Sequence, residues 1–139
     1  MKRYLITGAS RGIGRELAEK LAAPDVHLLL HGRDTVALGE TCKAVGSNCA
    51  GVVKLIHDLA TEKGVADLIA QVGSDPLNVL INNAGIAVVK PFREIIFEEW
   101  KQTIGVNVTA PFLLMQTFAG HMPPGSSIFG PIPPRRKMG

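Results

Sequence analysis

TGASRGIG, residues 7–14, follows directly on the apolar run Tyr4-Leu5-Ile6, and the reading of its three glycines decides the fold. Ahead of it, residues 3–7 make a short β-branched and aromatic run. Behind it, Ile13, Leu17 and Leu21 recur at helical spacing with Ala18 and Ala22 beside them. The stretch is therefore a tight turn from strand to helix. In such a turn one glycine lets the strand end bend sharply, a second lets backbone approach a pyrophosphate, and a third lets the helix pack closely on the strand. Gly8, Gly12 and Gly14 stand in those places, in the spacing G-x-x-x-G-x-G rather than G-x-G-x-x-G. The helix start adds free amides and a partial positive charge, so the stretch predicts a cradle for a phosphate-bearing dinucleotide.

The alternation continues outward. VHLLLH (26–31) reads as a second buried strand, and a weakly patterned helix is expected over about 34–45. GVVKLIHD (51–58) reads as a third strand. Val65, Leu68, Ile69 and Val72 then fall at i, i+3, i+4 and i+7, with Thr61 as N-cap and Gly73 as stop. NVLINNAG (78–85) closes a fourth strand on a turn. Phe97, Trp100, Ile104 and Val108 mark a long helix over about 97–120, bent at Pro111, which lacks a backbone donor. Ser127–Phe129 is a short fifth strand candidate. Strands that are apolar throughout and alternate with helices predict an α/β chain: a parallel sheet, doubly wound, with helices on both faces.

The chain has 139 residues, 46% of them apolar and 19% charged, the composition of one globular domain. Residues 1–130 are expected to form it, and 131–139 an irregular Pro-rich basic tail. The tail carries Arg135, Arg136 and Lys137, and without them the remaining basic residues only balance the 12 acidic ones. A nucleic-acid-binding face is not expected from so neutral a body. The start, MKRYLITG, reaches polar residues too soon for a signal peptide, and no apolar run is long enough to span a membrane, so a cytoplasmic protein is expected. Cys42 and Cys49 form no CxxC pair and read as free thiols. His27 and His31 flank a strand rather than share a helical face, and no metal is expected.

The end of the second strand selects the cofactor. An acid there accepts the ribose 2′-hydroxyl of NAD, whereas an arginine accommodates the 2′-phosphate of NADP. Here the strand runs into His31-Gly32-Arg33, with Asp34 one residue later, and Arg11 in the glycine turn adds a second guanidinium. The pair favours NADP over NAD, since guanidinium suits phosphate oxygens bidentately.

Four ordered motifs resemble the short-chain dehydrogenase/reductase family over about residues 1–130: Thr7–Gly14, Asp58-Leu59, Asn82-Asn83-Ala84-Gly85, and Asn107 within GVNVTAPF. The resemblance implies a three-layer, Rossmann-like sheet of about five strands in the order 3-2-1-4-5, incomplete against the family's full set. It implies a cofactor cradle of Gly8, Ala9, Ser10, Arg11, Gly12, Ile13 and Gly14. Asp58 would accept from the adenine amine, with Leu59 flanking the ring, and Asn83-Ala84-Gly85 would pass under the cofactor ribose. Asn82 would help pin the central strands together. Asn107, the one catalytic candidate, would expose its main-chain carbonyl at a helix distortion and hold a water of the proton relay. The implied chemistry is hydride transfer between NADP(H) and a small carbonyl or alcohol, with the 3-oxoacyl type of reductase as one parent, and dimerisation through the 97–120 helix.

The sequence also departs from the family. Its mechanism needs a tyrosine to move a proton, a lysine four residues later to lower that tyrosine's pKa, and a serine to hold substrate. Tyr4 is the single tyrosine, no Tyr-x-x-x-Lys occurs, and no serine stands near Ile132 and Pro133, where one is expected. Lys137 is no substitute. The switch to proline and basic residues resembles a shifted reading frame, a splice variant or a gene break. Two readings follow: a truncated oxidoreductase with little turnover, or a non-catalytic NADP-binding module that docks on a full-length relative.

Overall fold

Successive strand residues feed two separate cores. Leu5, Leu29, Leu55 and Leu80 point to one face of the sheet and pack with Val65, Leu68, Leu114 and Phe118. Ile6, Leu28, Leu30 and Ile81 point to the other and pack with Ala18 and Leu38. Because both faces are covered, the central strands have no polar face, which is why they read as unbroken apolar runs.

The computed structural model describes residues 1–130; the expected tail over 131–139, with Lys137 and the Ile132–Pro133 position, lies outside them. The elements are β1 (Lys2–Ile6), α1 (Gly12–Leu21), β2 (Val26–Gly32), α2 (Thr35–Val45), β3 (Gly51–Ile56), α3 (Glu62–Val72), β4 (Val79–Ile81), α4 (Phe97–Ile104), α5 (Ala110–Phe118) and β5 (Ser127–Phe129). All pairings are parallel, in the order β3-β2-β1-β4-β5. The chain winds outward from β1 to β3, then crosses back to β4 on the other side of β1. This is the doubly wound order 3-2-1-4-5. Among the described residues no helix is long and apolar enough to cross a membrane.

Local chemistry sets the helix ends. Thr61 Oγ1 accepts the Gly64 N–H at 2.9 Å, and Gly73 stops α3 at a φ of 77°, as expected of a cap and a stop. The weak pattern of α2 is offset by its cap: Asp34 Oδ1 accepts from the Val36 and Ala37 amides, each at 3.0 Å. The long helix expected over 97–120 is not uniform. Between α4 and α5 the chain takes a π-helical turn, Gly105–Thr109, in which the Ala110 N–H reaches back to the Gly105 carbonyl. Pro111, one residue into α5, has no N–H to return to the Asn107 carbonyl four residues back. The expected bend is thus a change of winding one turn before the proline.

The carboxyl ends of β1 and β4 are fastened by one side chain. Thr7 is 1% exposed, and its Oγ1 accepts from the Asn83 N–H at 3.0 Å and the Ala84 N–H at 2.9 Å. In return, Asn83 Nδ2 donates to the Gly8 carbonyl at 3.0 Å. Thr7→Val keeps the shape and removes the acceptor, leaving two amides without partners. It is expected to lower stability by about 2–4 kcal/mol, read as a shift in the urea unfolding midpoint, and an unchanged midpoint would show that the clamp is dispensable.

Candidate functional site

The glycine turn is built for close approach. Gly8 has a φ of 67°, and a Cβ on it would lie 2.8 Å from Ala84 Cα. A Cβ on Gly14 would lie 2.0 Å from the Gly8 carbonyl oxygen, so the first turn of α1 rests directly on the loop. Gly12 has open space around it and is required by its φ of 60° alone. No side chain caps α1, and its first turn carries no acid, so the amides there face outward unpaired with a carboxylate.

Beside this turn lies a cavity of about 670 Å³ at the carboxyl ends of the strands. It falls between β1 and β4, where the strand order reverses, the position at which open α/β sheets bind ligands. Gly8, Ser10, Arg11, Arg33, Leu59, Asn83, Ala84 and Gly85, all candidate cofactor residues from the sequence, line it together. His31, Gly32, Asp34, Ile86 and Val106 line it as well.

Other predicted residues support the cavity from behind or stand apart. Ala9 is fully buried and donates its N–H to the His31 carbonyl at 2.7 Å. Ile13 is 69% exposed on α1 and does not line the cavity. Asp58 is exposed, and its Oδ1 accepts the Ala60 N–H at 2.9 Å, so here the carboxylate shapes its own loop while Leu59 supplies the wall. Asn107 lies in the π-helical turn, the distortion expected of it. Its side chain has a role the sequence did not disclose: Oδ1 accepts the Ile86 N–H at 2.9 Å and Nδ2 donates to the Ile86 carbonyl at 2.8 Å. It therefore fixes the segment that follows Asn83-Ala84-Gly85. Asn82 joins β4 to β5 through its main-chain N–H, which meets the Phe129 carbonyl at 2.9 Å. Its buried side-chain amide, expected to pin the central strands, has no partner among the described residues.

The charges are arranged around Asp34. One Asp34 oxygen caps α2, and the other takes a hydrogen bond from Arg11 Nη2 at 2.9 Å. The Ala37 amide leads, and Arg11 assists, in holding its carboxyl below the usual carboxylate range. Arg11 is thus held across the cavity mouth toward the end of β2, next to Arg33. Both guanidinium groups are exposed and face the same opening.

A dinucleotide phosphate fits these groups. The Ser10 hydroxyl is buried against the cavity with no hydrogen-bond partner among the described residues, a donor beside the helix start. A Cβ at Gly32 would lie 2.0 Å from that hydroxyl, so glycine at the end of β2 keeps its place open. Ser10, the outward amides of α1 and the two arginines would hold phosphates, and Leu59 with Ala84 would contact apolar faces. Tyr4 sits in the middle of β1, packs with the core on the α1 side and is absent from the cavity wall.

The hydrogen-bonding roles of Thr7 and His31 were not read from the sequence, although both residues lie in its motifs. The available signal was a polar residue inside an apolar strand run, each at a strand's carboxyl end.

The family model for short chain dehydrogenases matches residues 2–132. Gluconate 5-dehydrogenase of Gluconobacter oxydans (strain 621H) is 35% identical over 124 residues, covering 88% of this chain and 48% of that protein. L-xylulose reductase of Mesocricetus auratus is 32% identical over 121 residues, covering 87% and 47%. The short-chain dehydrogenase from Sphingobium yanoikuyae, solved in complex with NADPH, superposes with a TM-score of 0.79 at 32% identity, covering 86% of this chain and 48% of that one. The chain spans about half the length of the curated relatives it matches. With a family match over nearly all its residues and the family's sheet order, this chain belongs to the short-chain dehydrogenases.

Proposed function

We propose that this chain is the cofactor-binding portion of an NADP-dependent oxidoreductase that moves hydride between NADPH and a small carbonyl compound or its alcohol, in the cytoplasm. The observation that carries the cofactor choice is that Arg11 and Arg33 line one cavity with the glycine turn. Bound NADPH supplies the hydride. Arg33 and Arg11 take the 2′-phosphate, Ser10 and the α1 amides take the pyrophosphate, and Leu59 lies beside the adenine with Asp58 at the loop edge. Asn83-Ala84-Gly85 floors the ribose, and Asn107 holds that floor through Ile86 while its carbonyl, denied the Pro111 donor, is left for a water. The relatives named for gluconate and L-xylulose support a small polar carbonyl substrate.

Reduction of a carbonyl needs a proton on oxygen as well as hydride on carbon. Residues 1–139 hold no Tyr-x-x-x-Lys to deliver it, and Tyr4 lies away from the cavity. We therefore read these residues as binding the cofactor without turning over. A second reading, a non-catalytic module docking on a full-length relative, draws support from exposed apolar residues: Ile128 and Phe129 on β5, and Phe97, Trp100, Val108 and Phe112 along the helices. The helical group is also the surface through which we propose self-association.

Arg33→Ala is expected to weaken NADPH binding by roughly 10- to 100-fold, the loss of a charge-assisted contact, and to leave NADH nearly unchanged. Equal wild-type affinity for the two cofactors would sink the NADP assignment. Asp34→Asn keeps a good N-cap and frees Arg11, so NADPH should bind about 2- to 5-fold more tightly, the release of one exposed ion pair. Looser binding would show that Asp34 positions Arg11 instead of competing for it. The 139-residue chain should consume no NADPH with carbonyl substrates, and steady turnover would demand a proton donor other than tyrosine. By sedimentation the chain should be dimeric at micromolar concentrations and monomeric as Phe112→Asp; a wild-type monomer would exclude the helical surface.

A further inference from the structure

His31 is the penultimate residue of β2 and lies where three loops of the cavity meet. Its carbonyl accepts the Ala9 N–H at 2.7 Å, its Nδ1 lies 3.2 Å from the Gly8 nitrogen, and its Nε2 lies 2.9 Å from the His57 carbonyl. The partners fix the tautomer. A backbone N–H only donates and a carbonyl only accepts, so Nδ1 is the bare nitrogen and Nε2 carries the hydrogen. One neutral imidazole, 3% exposed, thus bridges the glycine turn and the loop after β3.

We propose that His31 is a positioning residue: its neutral ring holds Gly8 in the phosphate-binding conformation, and protonation of Nδ1 releases the turn and weakens NADPH binding. This rests on the reading of the cavity as an NADPH site. A proton on Nδ1 would set N–H against N–H, and Gly8 has little room to yield. It is wedged against Ala84, and its carbonyl is held by Asn83. The charged and titratable groups around the ring are His57 and Asp58 from the loop after β3, Arg33 and Asp34 beyond β2, and Arg11 from the glycine turn. Burial above all holds His31 below its usual 6.5, opposed first by the hydrogen bond to the His57 carbonyl and more weakly by Asp58, and aided by the His57 ring and Arg33. The unfolded chain therefore takes up a proton that the folded chain refuses, so the bridge is complete above pH 6.5 and is lost as pH falls through the lowered value.

The test measures the NADPH dissociation constant of the 139-residue chain by cofactor fluorescence from pH 8 to pH 5, for wild type, His31→Asn and His31→Leu. Asn offers Oδ1 to the Gly8 amide and does not titrate; Leu offers nothing. Wild type should lose about tenfold more affinity than His31→Asn across the range, the order of one buried hydrogen bond, and His31→Leu should bind weakly throughout. The 2′-phosphate titrates in the same window, but equally for all three, so the difference isolates His31. Parallel profiles for wild type and His31→Asn overturn the proposal. So does tighter wild-type binding in acid, the result expected if an imidazolium served as a phosphate ligand. A second readout needs no cofactor: in amide NMR spectra the Gly8 signal should move with the midpoint of the His31 ring, and should stay still in His31→Asn. A Gly8 signal indifferent to that titration overturns the positioning role. Absence of NADPH binding at pH 8, with Gly8 still following His31, overturns the cofactor reading instead and the affinity claim with it.

Discussion

The hydroxyl of Thr7 is the constraint on which the site depends. β4 has only three residues, and the Asn83-Ala84 amides that follow it face inward where no strand can pair them. A buried amide left unpaired costs about as much as a whole hydrogen bond contributes, so one oxygen at the end of β1 serves both. The glycine turn and the turn after β4 are thereby locked face to face, with Asn83 closing the clamp from the other side. The cavity is the gap that remains between them. Its position at the reversal of strand order follows from topology, since loops on either side of that point leave in opposite directions.

What was legible in the sequence was local. The glycine turn, the Thr61 cap, the Gly73 stop and the unbroken apolar strands each express chemistry within a few residues of themselves. Crossover handedness makes the sheet doubly wound once the alternation is recognised, and the strand order came with the family resemblance. What stayed hidden depends on partners brought together only by folding. Thr7 and Asn83 are 76 residues apart, and Gly8 and His31 are 23 apart. Asp34 was legible only as an acid one residue beyond Arg33. Its structural work, capping α2 with one oxygen and tethering Arg11 with the other, needs the end of β2 and the glycine turn side by side. Asn107 shows the same limit: its motif pointed to a helix distortion, while the pairing of its side chain with Ile86 spans 21 residues.

Among the described residues the two sides of β1 differ in how fully their polar groups near the cavity are paired. On the side of β2 and β3 the polar groups near the cavity are mostly paired: His31 on both nitrogens and Asp34 on both oxygens. On the side of β5 the strand is exposed at all three residues, and the Asn82 amide beside it is buried with no partner among the described residues. Buried amides without partners are rare in folded proteins. Among the described residues the buried side-chain groups without partners are the Asn82 amide, the Ser10 hydroxyl at the cavity and His121 Nδ1.

That asymmetry bears on the proposal that this chain binds its cofactor without turning it over. The groups proposed to grip the cofactor come from the ends of β1, β2, β3 and β4, all of which are paired and packed between two cores. Nothing in that set can deliver a proton at neutral pH by the family's route. The imidazole of His31 donates its one hydrogen to a carbonyl, and Tyr4 is half a strand from the opening. The groups proposed to grip the cofactor thus stand at strand ends packed between the two cores, whereas the Asn82 amide toward β5 has no partner among the described residues.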